Sequence, residues 1–325
     1  MQLLSLVNRI RCVGKLHYTL LILELSSLPP ESKLDTMGRN LNAACRSHER
    51  KWRENRYVYA VVSRRSRGIS VGINLNPDKG CNFDCIYCQV NRSVPPSTRK
   101  VDLQALEAEL DLVLQAEKNG SIYQDRPFDL LSAAEHGVRD IAFSGDGEPT
   151  AFPRFAQAVQ IAARARIRFG LHATKLILLT NAAYLHKPAV KTALRVFDEN
   201  NGEVWAKLDA GSKNYFRMVN RAKAPLERIL QNILDAALLR PVTIQSLWFR
   251  VKNSAPSVEE IDSYCARLNE MISAGGRFSL IQLYTIARDP AEPSATPLPD
   301  DELDRLAALV RSQVPVPVEV FYGGL

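Results

Sequence analysis

No stretch of about 18 or more uncharged apolar residues occurs in the chain, which argues against a membrane-spanning helix. The nearest approach, Tyr18 to Leu25, is too short and carries Glu24. Arg9, Arg11 and Lys15 ahead of it imitate the start of a secretory leader, but no small-residue cleavage site follows, so the expected location is the cytoplasm. Histidines are scattered (His17, His48, His136, His172, His186) and form no constellation. An internal repeat and a low-complexity tract are also missing. What is present is a chain of 325 residues, 46% hydrophobic, long enough for a sizeable core in one large α/β domain or two smaller ones.

The net charge of +7 is unevenly placed. Residues 1–70 hold thirteen Lys/Arg against five Asp/Glu, so the basic character belongs to the N-terminal segment and the remainder is close to neutral. Such a segment favours RNA or another anionic partner, because phosphate contacts are electrostatic and need no motif; the competing reading is a solvated, partly disordered extension. Regular patterning begins near Tyr57, which divides the chain into a basic N-terminal extension (1–56) and a main domain with a C-terminal extension (57–325). Leu28-Pro29-Pro30-Glu31-Ser32 reads as a breaker, and Met37 is a second candidate start.

Beyond Tyr57 the pattern alternates. Ile69 to Leu75 reads as a buried strand and Val101 to Lys118 as a helix, with Leu103, Leu106, Leu110 and Leu114 on one face. Further strands are expected at 140–143, 175–179, 203–208, 243–251 and 278–283, with helices between them, including one near Arg154 to Arg168. Two helix starts are legible: Ser257 with Glu260 as a capping box, and Asp300 after Pro299 ahead of Leu303, Leu306 and Val310. Six β/α units imply a parallel sheet, either a curved partial (β/α)6 barrel or a flat doubly wound sheet. The polar and Gly-rich residues favour the barrel, because they recur just after predicted strands and a barrel gathers those ends into one site.

Chemistry concentrates in the loop after the first of these strands, where Cys81, Cys85 and Cys88 place three of the six cysteines within eight residues. That crowding suits metal chemistry in a reducing compartment better than disulfides. Three thiolates can hold three irons of a cubane cluster and leave the fourth iron open. A structural zinc site closes on four ligands, and neither a fourth Cys nor a His lies between Lys79 and Lys100, so zinc would need a remote ligand. Cys265 shares a helix face with Ile261, Leu268 and Ile272 and reads as core, while Cys12 and Cys45 have no metal-ligand spacing. Tyr57-Val58-Tyr59 followed by Ser63-Arg64-Arg65 combines aromatics with cations, as an RNA or anionic-substrate surface would, or is an ordinary strand with a charged end.

The Cys-x-x-x-Cys-x-x-Cys run, with Tyr87 before its last cysteine, resembles the signature of the radical S-adenosylmethionine (SAM) superfamily. Ser144-Gly145-Asp146-Gly147-Glu148-Pro149-Thr150 is similar to that family's Gly-Gly-Glu-Pro turn, with Asp146 where its first glycine is usual. The resemblance implies a partial TIM-like barrel, a [4Fe-4S] cluster on Cys81, Cys85 and Cys88, and SAM bound at the open iron. Reductive cleavage of SAM would give a 5′-deoxyadenosyl radical that abstracts hydrogen from a substrate. It further implies cofactor contacts from Gly145, Gly147, Glu148 and Pro149, and from Thr180, Asn181 and Asp209, for which turn or cap roles are the alternative. Lys207, two residues before Asp209 on a strand, is the candidate catalytic group if it faces the barrel interior, pairing with a carboxylate or forming an imine.

Within the superfamily the chain resembles the iron-sulfur oxidoreductase branch that includes the tRNA wyosine-base synthases, through Asn74-Leu75-Asn76-Pro77, Lys207-Leu208-Asp209-Ala210, Phe216, Asn220-Arg221, Gln282-Leu283-Tyr284 and Arg288. Those enzymes carry a second cluster on three further upstream cysteines, where this chain has only Cys12 and Cys45. The implied partners are an electron donor such as flavodoxin or ferredoxin and an anionic substrate, with modified tRNA as one candidate. A protein- or peptide-modifying activase or maturase is a second enzyme reading, and a zinc or iron-sulfur binding module is the non-catalytic one.

Overall fold

A computed structural model describes residues 43–45, 50, 52–96 and 98–323. The readings of residues 1–42, including Met37, lie outside the described residues. Among the described residues from Val58 onward, ten strands and seven α-helices follow in chain order: β1 Val58–Ser63, β2 Gly68–Ile73, α1 Leu103–Lys118, β3 Val138–Phe143, α2 Phe155–Arg168, β4 Lys175–Thr180, α3 Pro188–Glu199 and β5 Gly202–Lys207. Then come α4 Lys213–Asn220, α5 Leu226–Leu239, β6 Val242–Leu247, β7 Phe249–Val251, α6 Val258–Ser273, β8 Phe278–Tyr284, β9 Ala295–Pro297, α7 Asp300–Gln313 and β10 Val318–Phe321.

The main sheet has eight strands in the order β1-β2-β3-β4-β5-β6-β8-β10. All are parallel except β1, which pairs antiparallel with β2. The six expected β/α units are present, and β1 and β10 extend them at the two edges. This sheet curls into a partial barrel. A bond from the Arg64 guanidinium, just past β1, to the Tyr322 carbonyl, just past β10, ties the two edges together.

Side-chain alternation explains both faces. On β3, β4 and β5 one set, Ile141, Phe143, Leu176, Leu178, Val204 and Ala206, packs into the main core beneath the helices. The other set, Ala142, Ile177 and Trp205, forms a separate apolar patch on the inner face. Residues buried on both faces are what parallel strands require, so these strands read as continuous apolar runs. The helices complete the outer layer; α1 buries Leu106, Leu110, Val113 and Leu114. Its start is fixed by Asp102, whose carboxylate accepts from Gln104 N at 2.9 Å.

Three local expectations are corrected. The run 243–251 is two strands, because Trp248 turns out of line, its N–H bonded to the Tyr284 carbonyl at 2.8 Å, and β7 pairs with β9 instead. Only half of the capping box forms on α6: the Ser257 hydroxyl accepts from Glu260 N, but the Glu260 carboxylate accepts from Gly211 N at 2.6 Å and Ser212 N at 3.1 Å. That carboxylate anchors the loop leaving β5. Finally, β2 stops at Ile73, so Asn74 and Leu75 belong to the loop. Ala44, Cys45 and Trp52, from the basic segment, are buried against the main core.

Candidate functional site

The site forms at the carboxyl ends of the strands, where a cavity of about 390 Å³ opens among β1, the cysteine loop, the Ser144–Thr150 turn and the end of β8. Cys81, Cys85 and Cys88 all line it as free, half-buried thiols. Backbone pairing holds their loop in place: Asp84 N donates to Asn220 O at 3.2 Å, Ile86 N to Val219 O at 3.0 Å, and Ala291 N to Cys88 O at 3.0 Å. Phe83 packs edge-on against Phe216 with centroids 5.8 Å apart.

Burial pushes the Cys85 thiol up to about 11 and raises that of Cys81, so metal binding must displace protons there. Asn220 Nδ2 lies 3.6 Å from Cys85 Sγ, and Arg92 Nη1 lies 3.4 Å from Cys88 Sγ. Among the described residues no three His, Cys, Asp or Glu side chains converge on a single-ion site. A cubane distributes its thiolates over separate irons, and three free thiols lining one cavity are a donor set compatible with that group.

Opposite the thiols, the Ser144–Thr150 turn packs directly on the cysteine loop. A Cβ on Gly147 would collide with the Gly80 carbonyl and come within 2.8 Å of Asn76, and one on Gly145, at φ +155°, would strike the Asn74 side chain. Asn74 Oδ1 accepts from Asn76 N at 3.0 Å and Asp146 N at 3.2 Å, while its Nδ2 donates to Asp146 Oδ2 at 2.7 Å. The aspartate that replaces the first glycine of the quartet is thus engaged, and its other oxygen meets Arg50 at 2.6 Å.

Glu148 is 2% exposed and lines the cavity. Its Oε1 accepts from Thr150 N at 3.2 Å, from the Thr150 hydroxyl and from Thr180 Oγ1 at 2.6 Å, whereas among the described residues Oε2 accepts only from Asn181 N at 2.7 Å. Burial raises this carboxyl against the pull of those donors. Asn181 Nδ2 also reaches the cysteine loop, donating to Asn82 Oδ1 at 2.8 Å. Pro149 is buried at the start of the short helical turn that Glu148 caps.

Asp209 is placed differently. It is 2% exposed, and the cavity wall does not include it. Its Oδ1 accepts from Leu247 N at 2.9 Å, and its Oδ2 from the Tyr87 hydroxyl and from Asn220 Nδ2 at 3.1 Å. Asn220 Nδ2 also bonds the Tyr87 hydroxyl at 3.0 Å. Lys207 faces the barrel interior, its side chain 24% exposed, with Nζ 3.0 Å from the Tyr284 hydroxyl and 3.6 Å from Asp209 Oδ2. Burial pulls its pKa down, but Asp209 and Tyr284 outweigh that and raise it, so it stands as an ammonium. Lys207, Glu148, Thr180, Asn181, Gly145, Gly147 and the three cysteines therefore share one cavity. Sequence reasoning missed the Tyr87–Asn220–Asp209 hub and Arg50: the hub joins residues up to 133 apart, and no pattern marks Arg50.

Residues 75–249, more than half of the chain, match the family described as the Radical SAM superfamily. A UPF0026 protein of Helicobacter pylori is 25% identical over 248 residues, 76% of this chain and 71% of that one. Among solved structures, a radical SAM methyltransferase from Sphaerobacter thermophilus matches with a TM-score of 0.57 at 13% identity, over 82% of this chain and 69% of that one. Streptococcus suis SuiB bound to S-adenosylmethionine matches with a TM-score of 0.53 at 12% identity, over 77% of this chain and 50% of that one. At those identities the structural likeness speaks for the fold, and it agrees with what the sequence match shows: the chain belongs to the radical SAM superfamily.

Proposed function

We propose that this radical SAM enzyme holds a [4Fe-4S] cluster on Cys81, Cys85 and Cys88 and cleaves SAM in the cavity they line. One observation carries the reading: three free thiols and a buried carboxylate with an under-used oxygen, Oε2 of Glu148, face the same cavity. When bound, the cluster supplies the electron that breaks the carbon–sulfur bond of SAM, giving methionine and a 5′-deoxyadenosyl radical that abstracts hydrogen from the substrate. The electron comes from an external donor such as flavodoxin or ferredoxin.

The chain's own groups bind and orient. Cys81, Cys85 and Cys88 would hold the cluster, which would supply a position for SAM beside Glu148. Glu148 Oε2 accepts from the methionine ammonium, and Thr180 and Asn181 fix its carboxylate by hydrogen bonds. Gly145 and Gly147 let the turn lie against the cysteine loop. Asp209 is a positioning residue that holds Tyr87 and Asn220 beside Cys85. Lys207 presents its ammonium to the carboxylate of the cofactor or substrate. The cavity volume lies within the range of about 300–1,000 Å³ usual for small-molecule sites.

The test is the electron paramagnetic resonance spectrum of the reduced, anaerobically reconstituted protein with and without SAM. A spectrum that changes on adding SAM supports the reading. An unchanged spectrum in a protein carrying four irons would overturn it.

A further inference from the structure

Several cations in this cavity take no part in the reading above. Arg64 and Arg65 lie at the end of β1, Arg288 lies beyond β8, and all three line the cavity together with the cysteines. Among the described residues none of the three forms an ion pair with a carboxylate. Two of them rest against neutral groups: the Arg65 guanidinium sits 5.0 Å over the Tyr284 ring, and Arg64 bonds the Tyr322 carbonyl. Arg50, which lines the same cavity, is committed to Asp146 and stacks 4.7 Å over Tyr59.

Gathering like charges this way is unfavourable unless an anion joins them. Crowding by surrounding protein atoms, followed by the repulsion of Arg50 and Arg65, pulls Arg288 down to about 10, although its side chain still reaches solvent. Arg64 is lowered as well, first by burial and then by Arg65. The acidic lining residue on this side, Asp140, is 1% exposed and accepts from the Ser70 hydroxyl at 2.5 Å; burial raises its carboxyl while Ser66, Ser70 and Arg65 pull it down, and it stands as one carboxyl against three guanidinium groups. Tyr284 connects the group to the reaction centre, with Arg65 on its ring face and Lys207 on its hydroxyl.

We propose that Arg64, Arg65 and Arg288 form an oxyanion subsite that docks the terminal phosphate of a small phosphorylated substrate, leaving its carbon framework over the cysteine loop. Guanidinium forks match phosphate oxygens in pairs, and aromatic stacking orients them without neutralising them. A concave pocket admits a terminal, doubly charged group. A polynucleotide backbone would instead need a basic groove that tracks it. The proposal rests on the cavity being the site of SAM cleavage, and it names the class of substrate for that site.

The experiment is calorimetric titration of the reconstituted full-length protein with pyrophosphate and with inorganic phosphate, SAM present, for the wild type, R65Q and R288Q. Arg288 is exposed, so R288Q tests the subsite without disturbing the core. The expected result is binding to the wild type that weakens with added salt and falls at least tenfold in each variant. Three results would overturn the proposal: no wild-type binding of either anion, binding that both variants retain within twofold, or a loss of SAM affinity in the variants with anion binding intact. Variants that lose tRNA binding when neither anion binds the wild type would overturn it too, assigning the arginines to a nucleic-acid backbone. Formation of 5′-deoxyadenosine by the wild type without added anion checks the underlying reading separately.

Discussion

Replacing Glu148 by Gln removes one charge and exchanges an acceptor for a donor inside a buried pocket of donors. Four donors converge on this carboxylate, from Thr150 N, the Thr150 hydroxyl, Thr180 Oγ1 and Asn181 N. A Gln side chain keeps one acceptor oxygen and turns an NH2 group toward the remaining donors or toward the ammonium of SAM. A hydrogen bond to a charged group contributes about 1.5–3 kcal/mol. At about 1.4 kcal/mol per decade, its loss raises the Kd for SAM about 10- to 150-fold. Misplacing the amide also costs about 1–3 kcal/mol of folding stability, the usual penalty for a buried unsatisfied polar group. The assay is equilibrium binding of SAM to E148Q that has been reconstituted and checked for iron, because the cysteines lie on a different loop and retain the cluster. A Kd within twofold of wild type in the iron-loaded variant would refute the assignment of Glu148 to the cofactor.

Gly147→Ala should keep native circular dichroism yet lose cluster retention or SAM affinity, since its Cβ would push the turn off the Gly80 carbonyl at a cost of about 1–3 kcal/mol; unchanged iron content and SAM binding would contradict the packing described. Asp209→Asn turns a donor toward Tyr87 and Asn220, so the iron-free protein should lose about 1–3 kcal/mol in denaturant unfolding, and the visible spectrum of the loaded cluster should shift as Asn220 moves beside Cys85. A stability change without any spectral change would leave Asp209 a purely structural residue. Leu110→Ala, on the buried face of α1, should cost about 2–5 kcal/mol of stability by the same measurement; a loss below about 1 kcal/mol would show the helix is loosely packed.

The contiguous features of this site were readable because their chemistry is local. Three thiols in eight residues and a Gly-rich turn with one glutamate each declare a role, and six strand-helix alternations declare a parallel sheet that gathers them. The hub of Tyr87, Asn220 and Asp209 was not readable, because it depends on α4 ending under the cysteine loop rather than on spacing. Asp209, expected from its place after β5 to reach the cofactor or to serve as a turn residue, accepts from Leu247 N and from the Tyr87 hydroxyl, partners that no local spacing indicates. Glu260 shows the same limit on the outside of the barrel. Its spacing from Ser257 fits a capping box, but two unpaired N–H groups at Gly211 and Ser212 compete for the carboxylate and win. The break at Trp248 had no Gly or Pro to mark it, and β10 is four residues in a proline-rich tail, too short for periodicity to show. Arg64 and Arg65 were visible as cations near aromatics and Arg288 only as a point of family resemblance, and only the approach of the two sheet edges brings the three to one cavity.

The most direct measurement is 5′-deoxyadenosine formation from SAM by anaerobically reconstituted protein with reductant, in the wild type and in Cys81→Ala, Cys85→Ala and Cys88→Ala. The account predicts 5′-deoxyadenosine from the wild type and none above background from any of the three variants. Equal product from a cysteine variant, or none from a wild-type protein with a full cluster, would contradict it.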